Sequence, residues 1–454
     1  MTRVLPRASV VDTARVLAGV VGPLIARGVV VRRPRAEALA ERWDLDRRAV
    51  RTLQRLRRRY GPGPLRVPLP GRRLVLLLAP DDVHRVLART PEPFSPATAE
   101  KTAVLAHFQP HGVLISPPAE RPDRRRFNEA VLDTGHAVHR GAEPMVAAIH
   151  EETDALVAEV LAAGALTWDA YARSWWRIVR RVVLGDGARD DEALTDDLRR
   201  LRAAANWGPL RPRRTALRAS FDARVRAHLD RAEEGSLAAW VARTPSSAAT
   251  EPAQQVPQWL FAYDAGAWTS IRTLALLATH PEHLAAVRAE ADAAAATHGR
   301  APAHVPYLHG CVLDTVRLWP TTPAILRETT ARTRFDAGPV PEGTTVVAFA
   351  PLFHRDDEHL PSADRLDPTL WDGPRSADDW PLVPFSDGPA GCPGRDLVVH
   401  TMTTVVARLV SELDLTLERA ERLSPGAPLP GSLDPFGVRF AAAPRGGDRS
   451  AAPG

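Results

Sequence analysis

The chain has 454 residues, 44 % of them hydrophobic, with two cysteines, Cys311 and Cys392, and a formal charge of +5. That length can bury a large core. The cysteine count excludes a disulfide framework, and the modest charge gives no case for nucleic-acid binding. Lys101 is the only lysine, so nearly all positive charge is arginine, which together with abundant Ala and Pro matches a GC-rich bacterial codon usage.

Residues 16–26 are apolar but interrupted by Pro23 and bracketed by Arg15 and Arg27. The run is far shorter than the ~20 residues needed to span a bilayer. It is predicted as an amphipathic first helix on a cytoplasmic protein without stable membrane insertion, leaving peripheral contact open. Residues 38–60 form a charged helical stretch, and 65–78 alternate around a Pro-Gly turn as a β-hairpin. A short helix is expected over 81–89, then an irregular segment over 93–115. Helix returns over 120–161, broken near Gly135 and Gly141, and continues over 168–184, 191–205 and 216–231. Residues 256–279 are apolar nearly all round, which predicts a buried central helix. A helix over 302–318 and a strand-rich region over 324–350 follow, with a turn at Pro341-Glu342-Gly343. A last apolar helix is expected over 397–413. No linker divides the chain, so residues 1–443 read as one mainly α domain with small β-sheets, and 444–454 as a disordered tail.

The most specific feature is Phe385-Ser386-Asp387-Gly388-Pro389-Ala390-Gly391-Cys392-Pro393-Gly394-Arg395. It presents a cysteine in a glycine-punctuated loop just before a helix, where the positive helix end favours a thiolate. A lone cysteine is more often inert and buried. The spacing Phe-x-x-Gly-x-x-x-Cys-x-Gly instead resembles the haem-binding loop of the cytochrome P450 family. The resemblance implies a fold with haem b between a long central helix and the cysteine loop. It assigns Cys392 as iron ligand, with Phe385, Gly388 and Gly394 shaping the loop.

Further positions follow from the same resemblance. Asp314 and Arg317 stand three apart on one helix and match the family's Glu-x-x-Arg with a shorter acid; Arg365 would complete a buried structural triad. Arg124 or Arg125, with the register open between them, and Arg327 are placed to hold the haem propionates, because an arginine fork suits a carboxylate. The solvated-face reading of the arginine run competes with this. Ala390 stands where the family usually carries another propionate contact. On the central helix Ala265, Gly266 and Thr269 match the Ala-Gly-x-acid-Thr pattern, but Trp268 replaces the acid. Plain core packing is at least as good a reading of Trp268. Asp264, one turn upstream, is a weak substitute, better read as a helix-surface carboxylate. The cluster His354 to His359 lacks metal-ligand spacing.

The implied activity is a haem-thiolate monooxygenase hydroxylating a hydrophobic small molecule, plausibly in secondary metabolism, as a monomer served by ferredoxin and ferredoxin reductase. The alternative is an atypical member of the family performing oxidative coupling or ring formation, peroxide-driven oxidation, or isomerisation or dehydration. A haem-binding sensor without turnover is a third reading.

Overall fold

The computed structural model describes residues 4–376 and 378–446. Val256–Thr279 forms the central helix with the predicted bounds. Pro257 sits in its first turn, where a backbone N–H has no helical partner to lose. Pro281 ends it by pushing His280 out of helical geometry (φ −124°, ψ 84°). Residues on all sides of the helix are buried, from Trp259 and Leu260 through Ile271 to Leu277. Around it pack Trp168–Leu184, capped by the Thr167 hydroxyl, then Pro306–Leu318 and the cysteine helix Arg395–Glu412. These helices share one large apolar core.

A second core lies under a five-stranded sheet of order β1-β2-β8-β5-β3. It joins β1 (Leu65–Leu69), β2 (Arg72–Leu77) and β3 (Phe94–Ser95) to β5 (Ala324–Thr329) and β8 (Thr345–Phe349). The registers Leu76↔Val347 and Phe94↔Thr329 place the first hundred residues against the last third of the chain. β4 (Ala165–Thr167), β10 (Arg439–Pro444) and β9 (Leu413–Leu417) make a three-stranded sheet, and β6 (Thr333–Phe335) with β7 (Gly338–Val340) a hairpin. The mainly α architecture with small sheets is the expected one. No helix of the described residues is long and apolar enough to cross a membrane.

Several local expectations change. The charged stretch is two helices, Pro34–Trp43 and Leu45–Tyr60, separated by Asp44 in left-handed geometry (φ 49°). The segment 93–115 contains a helix, Ala99–Leu105, capped by Thr98. The helix expected over 302–318 begins only at Pro306, and Pro281–His298 is a helix the pattern did not reveal. The expected tail starts in order, since Pro444 ends β10 and Arg445 pairs with Asp292 at 2.7 Å. Its remaining residues, 447–454, lie outside the described residues, as do residues 1–3 and 377.

Candidate active site

The cysteine loop is held by its own backbone. Cys392 N–H donates to Phe385 O at 2.9 Å, and Gly391 N–H to Gly388 O at 2.8 Å. Gly388 (φ +65°) is required here: a Cβ would lie 2.3 Å from the Leu87 carbonyl oxygen of the helix Pro80–Ala88. The loop is thus pressed onto that helix, and Cys392 remains partly accessible. Burial pushes its thiol pKa up, while the Gly394 N–H and the charges of Arg125 and Arg395 pull it down. The first effect wins, which corrects the expectation that the helix start alone ionises the cysteine. A bound metal cation would favour the thiolate.

Three cations converge without a counter-charge. Arg121 and Arg327 are buried and Lys101 is partly buried, and desolvation is the main cause lowering each pKa. Lys101 falls to about 7 and is further depressed by Arg327 and Arg121, while Arg327 falls to about 10 with Arg121 acting against it. Their donors reach only neutral oxygens. Lys101 Nζ donates to Pro96 O and Leu326 O (both 3.1 Å), and Arg121 Nη1 to Val113 O (2.9 Å). Arg327 donates to the hydroxyls of Thr90 (3.0 Å) and Ser386 (3.2 Å). None forms an ion pair among the described residues. Buried charge left in this state is costly, and two carboxylates would relieve it. Arg327 lies beside the cysteine loop, donating to the Ser386 hydroxyl. Arg125 donates to Gly391 O (2.6 Å), next to Cys392, and pairs with Glu129. Arg124 turns elsewhere: Glu120, Glu251, the Ser116 hydroxyl and Ala249 O occupy its fork. Lys101 and Arg121 were not foreseen; the one signal was a solitary lysine in an arginine-rich chain.

On the central helix, Ala262 and Ala265 keep accessible surface although the helix is interior. Gly266 allows close approach, since a Cβ would lie 2.6 Å from Trp175 Cζ2 and 3.1 Å from Val398 Cγ2. Ala267 is buried. Thr269 is also buried, and its carbonyl accepts from the Thr273 hydroxyl (3.0 Å). Its own hydroxyl makes no hydrogen bond among the described residues. Trp268 packs edge-on against Phe436 (centroids 6.2 Å apart) with the Arg32 guanidinium 5.9 Å from its ring. Packing accounts for it, so its candidacy as a catalytic residue has no support in its contacts. Asp264 is tied to Arg202.

Asp314 and Arg317 form a fully buried bidentate pair, with Nε to Oδ1 at 2.5 Å and Nη2 to Oδ2 at 2.9 Å. Arg365 does not complete it. That side chain is exposed, and only its carbonyl accepts from Arg317 Nη2 (2.7 Å). The third partner is Trp371, whose indole N–H donates to Asp314 Oδ1 (3.2 Å), joined by Asp367 N–H (2.8 Å). Arg317 also grips His354 O (2.9 Å), and His354 Nε2 accepts from Val383 N–H (2.9 Å) just before the cysteine loop. The pair therefore positions the loop through His354. The acidic cluster Asp356, Glu358 and His359 is already neutralised by Arg57 and Arg58. A pocket bordered by Arg272, Trp319, Arg355 and Leu433 contains none of these site residues.

Residues 250–431, which hold the central helix, the Asp314–Arg317 pair and the cysteine loop, match the Cytochrome P450 family. That stretch, less than half of the chain, is similar to cytochrome P450. Among curated P450 relatives, cyclooctat-9-en-7-ol 5-monooxygenase of Streptomyces melanosporofaciens is 32 % identical over 158 residues, covering 32 % of this chain and 34 % of that protein. Cytochrome P450 4A10 of Rattus norvegicus is 30 % identical over 147 residues, covering 31 % and 28 %. The chain thus spans about a third or less of the length of these relatives. The fold is similar to that of retinoic acid-bound cyanobacterial CYP120A1, with TM-score 0.68, 16 % identity and coverage of 86 % of this chain and 93 % of that one. The P450 cofactor is haem b. The residues present fit it: one cysteine for the iron and an uncompensated trio of buried cations for two propionates.

Proposed function

We propose that this P450 is a haem-thiolate monooxygenase that hydroxylates a C–H bond of a hydrophobic small molecule. The overall change consumes dioxygen, two electrons and two protons; one oxygen atom enters the product as hydroxyl and the other leaves as water. The observation that carries the reading is the joint presence of the Cys392 loop and the unpaired cations Lys101, Arg121 and Arg327. When bound, haem supplies the activation of dioxygen. Cys392 would hold the iron, and Lys101, Arg121 and Arg327 would hold the propionates. Ala265 would leave room for the cofactor on the central helix, Gly266 letting that helix pack closely on Trp175, and Thr269 Oγ1 would be the hydroxyl available to hold a proton for oxygen reduction.

Ferredoxin and ferredoxin reductase are the proposed electron donors, with the protein a cytoplasmic monomer. A relative named for oxygenating cyclooctat-9-en-7-ol fits a hydrophobic substrate and a role in secondary metabolism. The test is the reduced, carbon monoxide-bound spectrum. Wild type should show the long-wavelength Soret band of thiolate ligation and Cys392→Ser should lose it; a Cys392→Ser variant that kept the band would overturn the assignment. Turnover should then place labelled oxygen from O₂ in the product.

One observation favours a second reading. Trp268 is packed away and Asp264 is bound to Arg202, so no free acid accompanies Thr269 on this stretch of helix. An enzyme relying on peroxide, or performing coupling or another atypical reaction, needs less proton delivery. Equal or faster turnover with hydrogen peroxide than with dioxygen and a reductant would establish that alternative.

A further inference from the structure

The pocket between the central helix, the helix Leu45–Tyr60 and residues 431–433 is lined by five arginines and three aspartates. Four of the arginines are matched. Arg27 holds Asp46 at 2.7 Å and Arg51 holds Asp357 at 2.7 Å, while Arg47 and Arg355 share Asp364, each at 2.5 Å. Glu37 adds a second partner for Arg27, and Asp44 one for Arg47. Arg272 is the exception. It is 5 % exposed and forms no ion pair among the described residues. Its donors reach only two neutral carbonyls: Nε and Nη2 meet Leu433 O at 3.0 and 2.5 Å, and Nη1 meets Trp319 O at 3.4 Å. A guanidinium carries five N–H groups, so two of them have no acceptor here. Arg355, equally buried in the same pocket, spends all five on Asp364, Leu318 O, Pro430 O and Leu429 O.

A buried guanidinium short of both acceptors and counter-charge is costly, and native interiors correct such a group with a bound water or ion. Desolvation lowers the Arg272 pKa to about 10; Glu37 and Asp434 favour its charge only through space, and Arg27 and Arg32 oppose it. Val50, Leu318, Pro320, Pro323 and Pro351 make the remaining wall largely apolar. Charge is felt strongly against such a wall because the local dielectric is low. Water would supply acceptors but no charge, whereas an anion supplies both. The free space is about 20 Å³, enough for one occupant of water size. We infer that this pocket binds a single small monovalent anion, of the size of chloride, on the Arg272 guanidinium. The anion would bridge the central helix, one turn beyond Thr269, to residues 431–433 and to the helix Leu45–Tyr60. Its site shares no residue with the Cys392 loop, so the inference stands apart from what that loop binds.

The experiment is thermal unfolding of the purified full-length protein in chloride, with gluconate, a much larger monovalent anion, at the same ionic strength as the control. Chloride should raise Tm along a saturating curve, reaching about 2–3 °C at a hundredfold excess over its dissociation constant. Gluconate should give no such rise. Arg272→Met keeps the side-chain bulk and removes the buried charge, so it should fold and respond equally to the two anions. In crystals of wild type soaked in bromide, one anomalous peak should lie within hydrogen-bond distance of the Arg272 guanidinium. An equal response of wild type to chloride and gluconate overturns the proposal, as does a chloride-specific rise that survives Arg272→Met. If that variant does not fold, the bromide map decides: a guanidinium with no anomalous peak beside it, whether it faces water or a carboxylate turned into the pocket, overturns the proposal.

Discussion

Arg365 and Asp314 should behave in opposite ways when mutated, although the family resemblance makes them partners. Asp314→Asn leaves the Arg317 guanidinium buried at 0 % exposure without a counter-charge. Breaking a buried pair this way costs about 3–5 kcal/mol. Weakening the acceptor for Asp367 N–H and the Trp371 indole adds about 1 kcal/mol. Unfolding entropy near 2.1 cal/mol/K per residue amounts to about 1 kcal/mol/K over this chain, so the summed ~4–6 kcal/mol lowers Tm by about 4–6 °C. Arg365→Ala removes an exposed side chain and keeps the carbonyl that Arg317 uses. Its cost should stay within about 0.5 kcal/mol, or under about 1 °C. Thermal scans at one fixed rate on haem-loaded protein, with the Soret-to-protein absorbance ratio reporting haem retention, measure both. An Arg365→Ala variant that lost stability or haem as Asp314→Asn does would show that the arginine side chain, and not Trp371, completes the lock.

Lys101, with a pKa near 7 before any propionate is present, must be protonated to bind one. Haem affinity of the apoprotein should therefore fall as pH rises from 7 to 9, whereas Lys101→Met should bind more weakly at pH 7 and with a flatter profile; reconstitution titrations across that range decide it. His354 and His400 are buried neutral, at about 3 and about 4 against 6.5 unfolded, chiefly through burial. The unfolded chain binds the extra protons, so stability is full above pH 6.5 and is lost on acidification, at up to about 3 kcal/mol per pH unit between 6.5 and 4. Denaturant midpoints that did not move over that interval would contradict it. Gly266→Ala should gain about 1 kcal/mol of helix propensity but overpack against Trp175. That ring is fully buried and held by its N–H to Tyr263 O at 2.9 Å. Overpacking costs about 1–3 kcal/mol, so the variant should be less stable than wild type by about 1 kcal/mol, and a more stable variant in denaturant titrations would reveal unused space.

What could be read from the sequence was what is local. The central helix is a long, mostly apolar helical run closed by Pro281, so its bounds were legible to the residue. The cysteine loop was legible because its spacing is contiguous. The helix Pro281–His298 was not, because its packing buries only Val287 and Ala291 and an alanine-rich surface carries no apolar stripe. The buried cations come from three distant segments, and nothing along the chain ranks Arg121 above Arg124; only folding shows that Glu120 and Glu251 occupy the latter. The Asp314 lock failed at Arg365 for a similar reason, since an indole at Trp371 delivers the hydrogen bond from outside the expected motif. Thiol ionisation was misjudged because a helix end is visible in sequence while the burial opposing it is not.

The five-stranded sheet bears on when the cofactor can be captured. β1, β2 and β3 are synthesised early, but they gain β5 and β8 as partners only after residue 349 has left the ribosome. Lys101 and Arg121 wait in the same way for Arg327, and the thiol follows later still, on a loop whose position depends on contact with Leu87. A nascent chain therefore has no place that offers both the Cys392 thiol and the cations Lys101, Arg121 and Arg327. Any group held jointly by these residues could be captured only by the nearly finished polypeptide.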